Sequence, residues 1–89
     1  MTFVYILKST SSERHYIGST KSIIRRLHEH HKNKVLSTRN RGPWIIVHIE
    51  KYQSLKQARS RELAIKKKKR KTYIEWLVNS NNKQAADVV

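Results

Sequence analysis

At 89 residues the chain has room for one domain with a modest core, and 37% hydrophobic content sets it apart from disordered chains. Twenty Lys and Arg against six Asp and Glu give a formal charge of +14, a field that draws polyanions: nucleic acid first, an anionic membrane surface second. The lack of cysteine excludes disulfides and thiolate zinc sites, and no apolar run reaches the roughly 18 residues of a membrane span.

Phe3 to Lys8 is β-branched and aromatic, a strand buried on both faces, with Phe3, Tyr5 and Leu7 pointing one way and Val4 and Ile6 the other. No basic segment precedes it, so the start reads as structure rather than as a signal peptide, and a cytoplasmic protein is the default. Ser9 to Arg14 is a polar turn, and His15 to Gly18 a short second strand that pairs with the first as an antiparallel hairpin. The strand breaks at Gly18, and Thr20 or Ser22 caps a helix running to about His31.

Lys32 to Pro43 is a basic loop ending in the Gly42-Pro43 breaker. Trp44 to Tyr52 is a third strand with Ile45, Ile46 and Val47 at its heart; Leu27 and Ile46 are expected in the core. Ser54-Leu55-Lys56-Gln57 is a capping box opening a second helix, whose inward stripe is Leu55, Ala58, Glu62 and Ile65. Thr72-Tyr73-Ile74-Glu75 repeats the capping pattern for a short third helix carrying Ile74, Leu77 and Val78. The domain is expected over residues 1–78, with 79–89, which lack usable periodicity, as a frayed tail.

Of the six acids, Glu62 is the one inside an apolar helical stripe, where a carboxylate must be paired, protonated or bound to a cation. One reading is an ion pair with an arginine such as Arg26; the other is a hard-cation ligand, since one carboxylate with waters and phosphate oxygens commonly holds Mg2+. Arg26 and His30 share a helix face at the edge of the Ile23/Leu27 stripe, and Arg25 faces solvent. Arg26 offers a planar fork to a phosphate. His28 and His31 have a metal-compatible spacing but lack companion ligands. Tyr5 and Tyr16 suit packing in strands, or a general base where the phenol is strongly perturbed. The run Lys66, Lys67, Lys68, Lys69, Arg70 and Lys71 suits a solvated helix end as well as a polyanion contact.

Together these residues resemble the GIY-YIG nuclease superfamily. Val4-Tyr5-Ile6 matches its first motif with Val for the usual Gly, and Tyr16-Ile17-Gly18 matches the second without change. Arg26, His30 and Glu62 stand at the positions of the family's helix arginine, its following His or Tyr, and its metal-binding glutamate. The segment Ser37 to Trp44 is similar to that of small stand-alone bacterial members, relatives of the nuclease domains of the excision-repair incision subunit and of phage homing endonucleases. The resemblance covers roughly residues 2 to 78; the family's asparagine near the domain end has Asn79 as its nearest counterpart.

The resemblance implies an α/β (α+β) fold, a small three-stranded antiparallel sheet flanked by helices, and a metal-dependent DNA endonuclease of repair or recombination. In that role Glu62 would hold Mg2+ or Mn2+, Arg26 would neutralise the phosphorane, Tyr5 or Tyr16 would take the proton of the attacking water, and His30 would orient or relay it. Lys34, Arg39, Arg41 and the Lys66 to Lys71 run would hold flanking phosphates. The alternative is a non-catalytic basic nucleic-acid-binding module that keeps the fold. A membrane role would need a long helix with exposed apolar residues, and neither long helix pattern has one.

Overall fold

The computed structural model describes residues 1–32, 42–68 and 71–88, the side chains of residues 80–88 aside. Strand β1 (Thr2–Ser9) is the middle of a three-stranded antiparallel sheet, flanked by β2 (His15–Thr20) and β3 (Trp44–Tyr52). A central strand has neighbours on both edges and cover on both faces, which is why its four consecutive apolar residues Val4, Tyr5, Ile6 and Leu7 are all buried. Helix α1 (Ile23–His31) follows β2, and α2 (Leu55–Lys68) and α3 (Lys71–Val88) follow β3.

Two cores sit on opposite faces of the sheet. Tyr5, Leu7 and Trp44 form one with Tyr16, Ile46 and the α1 residues Ile23 and Leu27. Val4, Ile6 and Ile17 form the other with Ala58 and Ile65 of α2 and Leu77 of α3. The alternation read from β1 therefore holds, and each helix layer takes one set. Among the described residues no helix is long and apolar enough to cross a membrane.

A β-bulge in β3 decides which of its side chains go where. Ile46 pairs with Leu7 but His48 pairs with Ile6, so Val47 is the extra residue. Trp44 and Ile46 lie on the α1 face; beyond the bulge His48, Glu50 and Tyr52 pair with Ile6, Val4 and Thr2 and so lie on the α2 face. Ile45 is left 48% exposed instead of at the strand's heart, and Ile46 and Leu27 are half-buried rather than fully inside.

The caps fall where turn chemistry places them. Ser22 accepts a hydrogen bond from the Arg25 amide at the start of α1, and Ser54 accepts one from the Gln57 amide at the start of α2. Leu55, on the first turn of α2, is 38% exposed and does not join the inward stripe. Helix α3 starts at Lys71, so Thr72 lies inside it rather than capping it. Its backbone stays helical to Val88 instead of ending near Val78: residues 79–88 hold no Gly or Pro to stop it, and Gln84, Ala85 and Ala86 favour helix.

Candidate active site

The strand does not break at Gly18; it continues to Thr20. Gly18 pairs with Tyr5 across the hairpin, and a Cβ added at Gly18 would stand 2.6 Å from the Tyr5 hydroxyl oxygen and 3.0 Å from the Tyr16 ring. The glycine is therefore the floor on which the two phenols lie, a close approach rather than a turn. Tyr5 and Tyr16 ring centres are 6.1 Å apart.

Helix α1 delivers His30 and Arg26 to the same place. The His30 ring is 1% exposed and lies edge-on to Tyr16 at 4.7 Å and to Tyr5 at 5.9 Å between centres. The Tyr5 hydroxyl and His30 Nε2 are 3.0 Å apart. Burial, and then the positive charge of Arg26, push the His30 imidazole down to about 4, so it is neutral at pH 7. A neutral imidazole in the Nδ1–H form accepts the Tyr5 proton at Nε2.

Burial raises Tyr5 well above the ordinary phenol, a shift that the neighbouring Arg26 opposes. The Arg26 guanidinium lies within reach of both phenol oxygens and donates to Glu29 Oε1 at 3.0 Å. Burial alone would lower the arginine, but Tyr5, Glu29 and Tyr16 outweigh it and keep the cation firmly protonated. Arg26 is thus paired to Glu29, one turn away, and not to Glu62.

Glu62 arrives from the other face of the sheet. Ser19 donates to its Oε1 at 2.7 Å and Lys66 to its Oε2 at 2.6 Å. Because β2 is an edge strand, Ser19 and Thr20 bring that face to the rim. A shallow groove runs over the rim, lined by Ser19, Thr20, Lys21, Arg25, Arg26, Glu29 and Leu55. The structure thus gathers Tyr5, Tyr16, Arg26 and His30 directly, whereas Glu62 stands on the other face, tied to the β2 edge by Ser19.

The remaining expected contacts divide. Lys66, Lys67, Lys68 and Lys71 are exposed on α2 and the start of α3. Lys34, Arg39, Arg41, Lys69 and Arg70 lie outside the described residues. His31 donates its Nε2–H to the Trp44 carbonyl oxygen at 2.8 Å. That bond ties α1 to β3 and removes the nitrogen from any metal site with His28. Among the described residues no three His, Cys, Asp or Glu side chains converge as metal ligands.

Sequence reasoning missed Ser19, which holds Glu62, and Glu29, which holds Arg26. Glu29 was visible in principle as an acid three residues after an arginine on one helix. Ser19 had no local signal, since its partner is 43 residues away.

A family model described as the GIY-YIG catalytic domain matches residues 1–75. A UPF0213 protein of Listeria monocytogenes is 35% identical over 77 residues, covering 85% of this chain and 85% of the relative. A UPF0213 protein of Clostridium perfringens is 33% identical over 85 residues, covering 94% and 90%. The solution NMR structure of a UPF0213 protein from Bacillus halodurans superposes with a TM-score of 0.54 at 31% identity, covering 89% of this chain and 84% of that one. These relatives are named by family alone and so bear on ancestry and fold rather than on activity.

Proposed function

Because the chain belongs to the GIY-YIG family, we propose that it is a DNA endonuclease that hydrolyses phosphodiesters with a divalent cation, in the setting of repair or recombination. The observation that carries the reading is the array Tyr16, Tyr5, His30: a half-buried phenol, a buried phenol and a buried neutral imidazole, with Arg26 at both hydroxyls. Tyr16 is the phenol that meets the attacking water. Its oxygen accepts the water's O–H and aims the water at phosphorus, while the Tyr5 hydroxyl, donating to His30 Nε2, holds the phenols in place; the water's proton passes to solvent and the sugar oxygen leaves as the new P–O bond forms. Arg26 supplies a fixed positive charge where the phosphorane gains negative charge.

The donor set at Glu62 fits a hard cation: a carboxylate whose side chain is 19% exposed, with the Ser19 hydroxyl on one oxygen. Lys66, 47% exposed at its side chain, can swing into water and free the other oxygen. Glu62 would hold Mg2+ or Mn2+ there, with Ser19 orienting the carboxylate, and the bound ion would supply Lewis-acid polarisation of the phosphate. Lys21 and Arg25 in the groove, and Lys66, Lys67, Lys68 and Lys71 beyond it, hold flanking phosphates. A second reading, a binder without chemistry, is favoured by the Lys66–Glu62 pair itself, which already compensates the carboxylate.

The test is an incision assay on duplex, flapped, branched and single-stranded DNA with Mg2+, with Mn2+ and with a chelator. Cleavage should require the metal. Glu62→Gln should remain folded and DNA-binding, because the surface pair it loses is worth about 1 kcal/mol or less, yet be inactive. A Glu62→Gln protein that cuts at the unmodified rate would overturn the assignment, and cleavage in chelator would overturn the metal.

A further inference from the structure

Helix α3 presents an aromatic pair that the nuclease reading leaves unused. Tyr73 and Trp76 are one turn apart, their ring centres 6.0 Å apart and their planes 31° from parallel. Trp76 is 59% exposed, whereas Trp44 is 4% exposed. Lys68 Nζ lies 5.6 Å from the Tyr73 ring centre, over its π-face. Lys67, Lys68, Thr72, Tyr73 and Trp76 together line a depression on the surface.

The charge of this patch is not cancelled locally. Among the described residues Lys66 is paired to Glu62 and Lys71 lies 4.0 Å from the exposed Glu75, which leaves Lys67 and Lys68 with no carboxylate of their own. A flat apolar ring beside uncompensated ammonium groups is complementary to a nucleotide, which has a π-face and a phosphate at similar spacing. The ring needs an unpaired base, because in a duplex the base faces are covered by their neighbours. Along α2, Lys67 and Lys68 follow Glu62 by roughly 8 Å of helix rise, within reach of a strand leaving that residue.

We propose that this depression binds an unpaired segment of DNA, with a base stacked on Trp76 and its phosphates on Lys67 and Lys68. The inference takes its DNA partner from the nuclease reading and deepens it: the substrate is DNA with a single-stranded segment beside the cut, such as a flap or a branch, rather than plain duplex.

Binding in chelator, where nothing is cut, tests it on the full chain with a labelled thymidine oligonucleotide of about 15 residues and with a duplex hairpin. Trp76→Ala should weaken oligonucleotide binding roughly 5- to 150-fold and leave the duplex within about twofold, while Trp76→Phe keeps most of the affinity. The oligonucleotide should also quench the Trp76 emission of the unmodified protein, with buried Trp44 as the unquenched baseline. This second readout decides the matter if Trp76→Ala does not fold. No quenching, an oligonucleotide affinity indifferent to Trp76, or equal losses on both DNAs would overturn the proposal. So would tighter binding of a uridine RNA oligomer than of the DNA, or self-association of the protein through Trp76. If the unmodified protein binds the duplex and cuts flaps while Trp76→Ala changes nothing, this inference alone fails. If it binds no DNA at all, the nuclease reading fails with it.

Discussion

The two faces of one sheet carry polar clusters built from nearly the same residue types, and they are wired in opposite ways. On the α2 face, Glu50 accepts from His48 at 2.8 Å, from the Tyr52 hydroxyl at 2.7 Å, and from Arg61 through two nitrogens at 2.8 and 3.1 Å. Burial would raise the Glu50 carboxyl, but these donors hold it far below the usual carboxylate range. Arg61 also reaches Tyr73, so the cluster fastens β3 to α2 and α3. On the α1 face, Tyr5, Tyr16, Arg26 and His30 enclose no carboxylate; Glu29 meets Arg26 from the outside, one-third exposed. The first cluster is closed: the charges of Glu50 and Arg61 cancel internally. The second is open: its cation is matched only by Glu29 at its partly exposed edge, and no carboxylate sits among the phenols. Residue type alone does not separate structure from chemistry; the presence of an internal counter-charge does.

The largest effect should come from opening the closed cluster. Glu50→Gln leaves Arg61 in a partly buried site without its charge, and should cost roughly 3 to 5 kcal/mol in denaturant unfolding. A loss below about 1 kcal/mol would mean that Glu50 behaves as an ordinary surface acid.

Acid should then distinguish the faces in sequence. His30 titrates near 4 when folded and near 6.5 when unfolded, so the unfolded chain binds the extra proton between those values. The stability linked to His30 is complete above about pH 6.5 and falls by about 3 kcal/mol as the pH drops to about 4. Glu50 has a depressed folded value, so its contribution is present above about 4.5 and disappears only as the pH falls further. Unfolding free energy measured from pH 8 to 3 should show the His30 decline first, and Glu50→Gln should flatten the second decline but not the first. A stability that does not change between pH 6.5 and 4.5 would contradict a buried neutral His30.

Short-range signals in the sequence carried much of this. The hairpin, the caps at Ser22 and Ser54 and the bounds of β3 follow from residues within four positions of one another. The helical stripe found Glu62 as a carboxylate drawn partly inward, but periodicity gives a face and not a partner. Its partners proved to be Ser19 and Lys66 instead of Arg26. Gly18 looked like a break because its real constraint, the Tyr5 phenol lying over it, comes from another strand. The bulge at Val47 was the hardest to see. It turns the second half of β3 to the other face, and without it Glu50 would not meet Arg61 as the hub of the closed cluster. The Arg26–Glu29 pair lay within one helix turn, but the contacts at Ser19, Gly18 and the bulge are long-range and depend on strand register.

The central claim, that the open cluster does chemistry and the closed one holds the fold, is tested most directly by measuring melting and DNA cleavage together on Arg26→Ala and Arg61→Ala. Arg26 gives up a partly exposed pair with Glu29 and its contacts with the two phenols, so Arg26→Ala should lose roughly 1 to 2 kcal/mol of stability, less than Arg61→Ala. Its cleavage should fall by roughly a hundred- to a thousandfold, the usual loss when a charge aimed at the transition state is removed. Arg61→Ala should melt far lower, yet its folded fraction should cut at close to the unmodified rate. An Arg26→Ala protein that is folded and cuts as fast as the unmodified one would contradict the account.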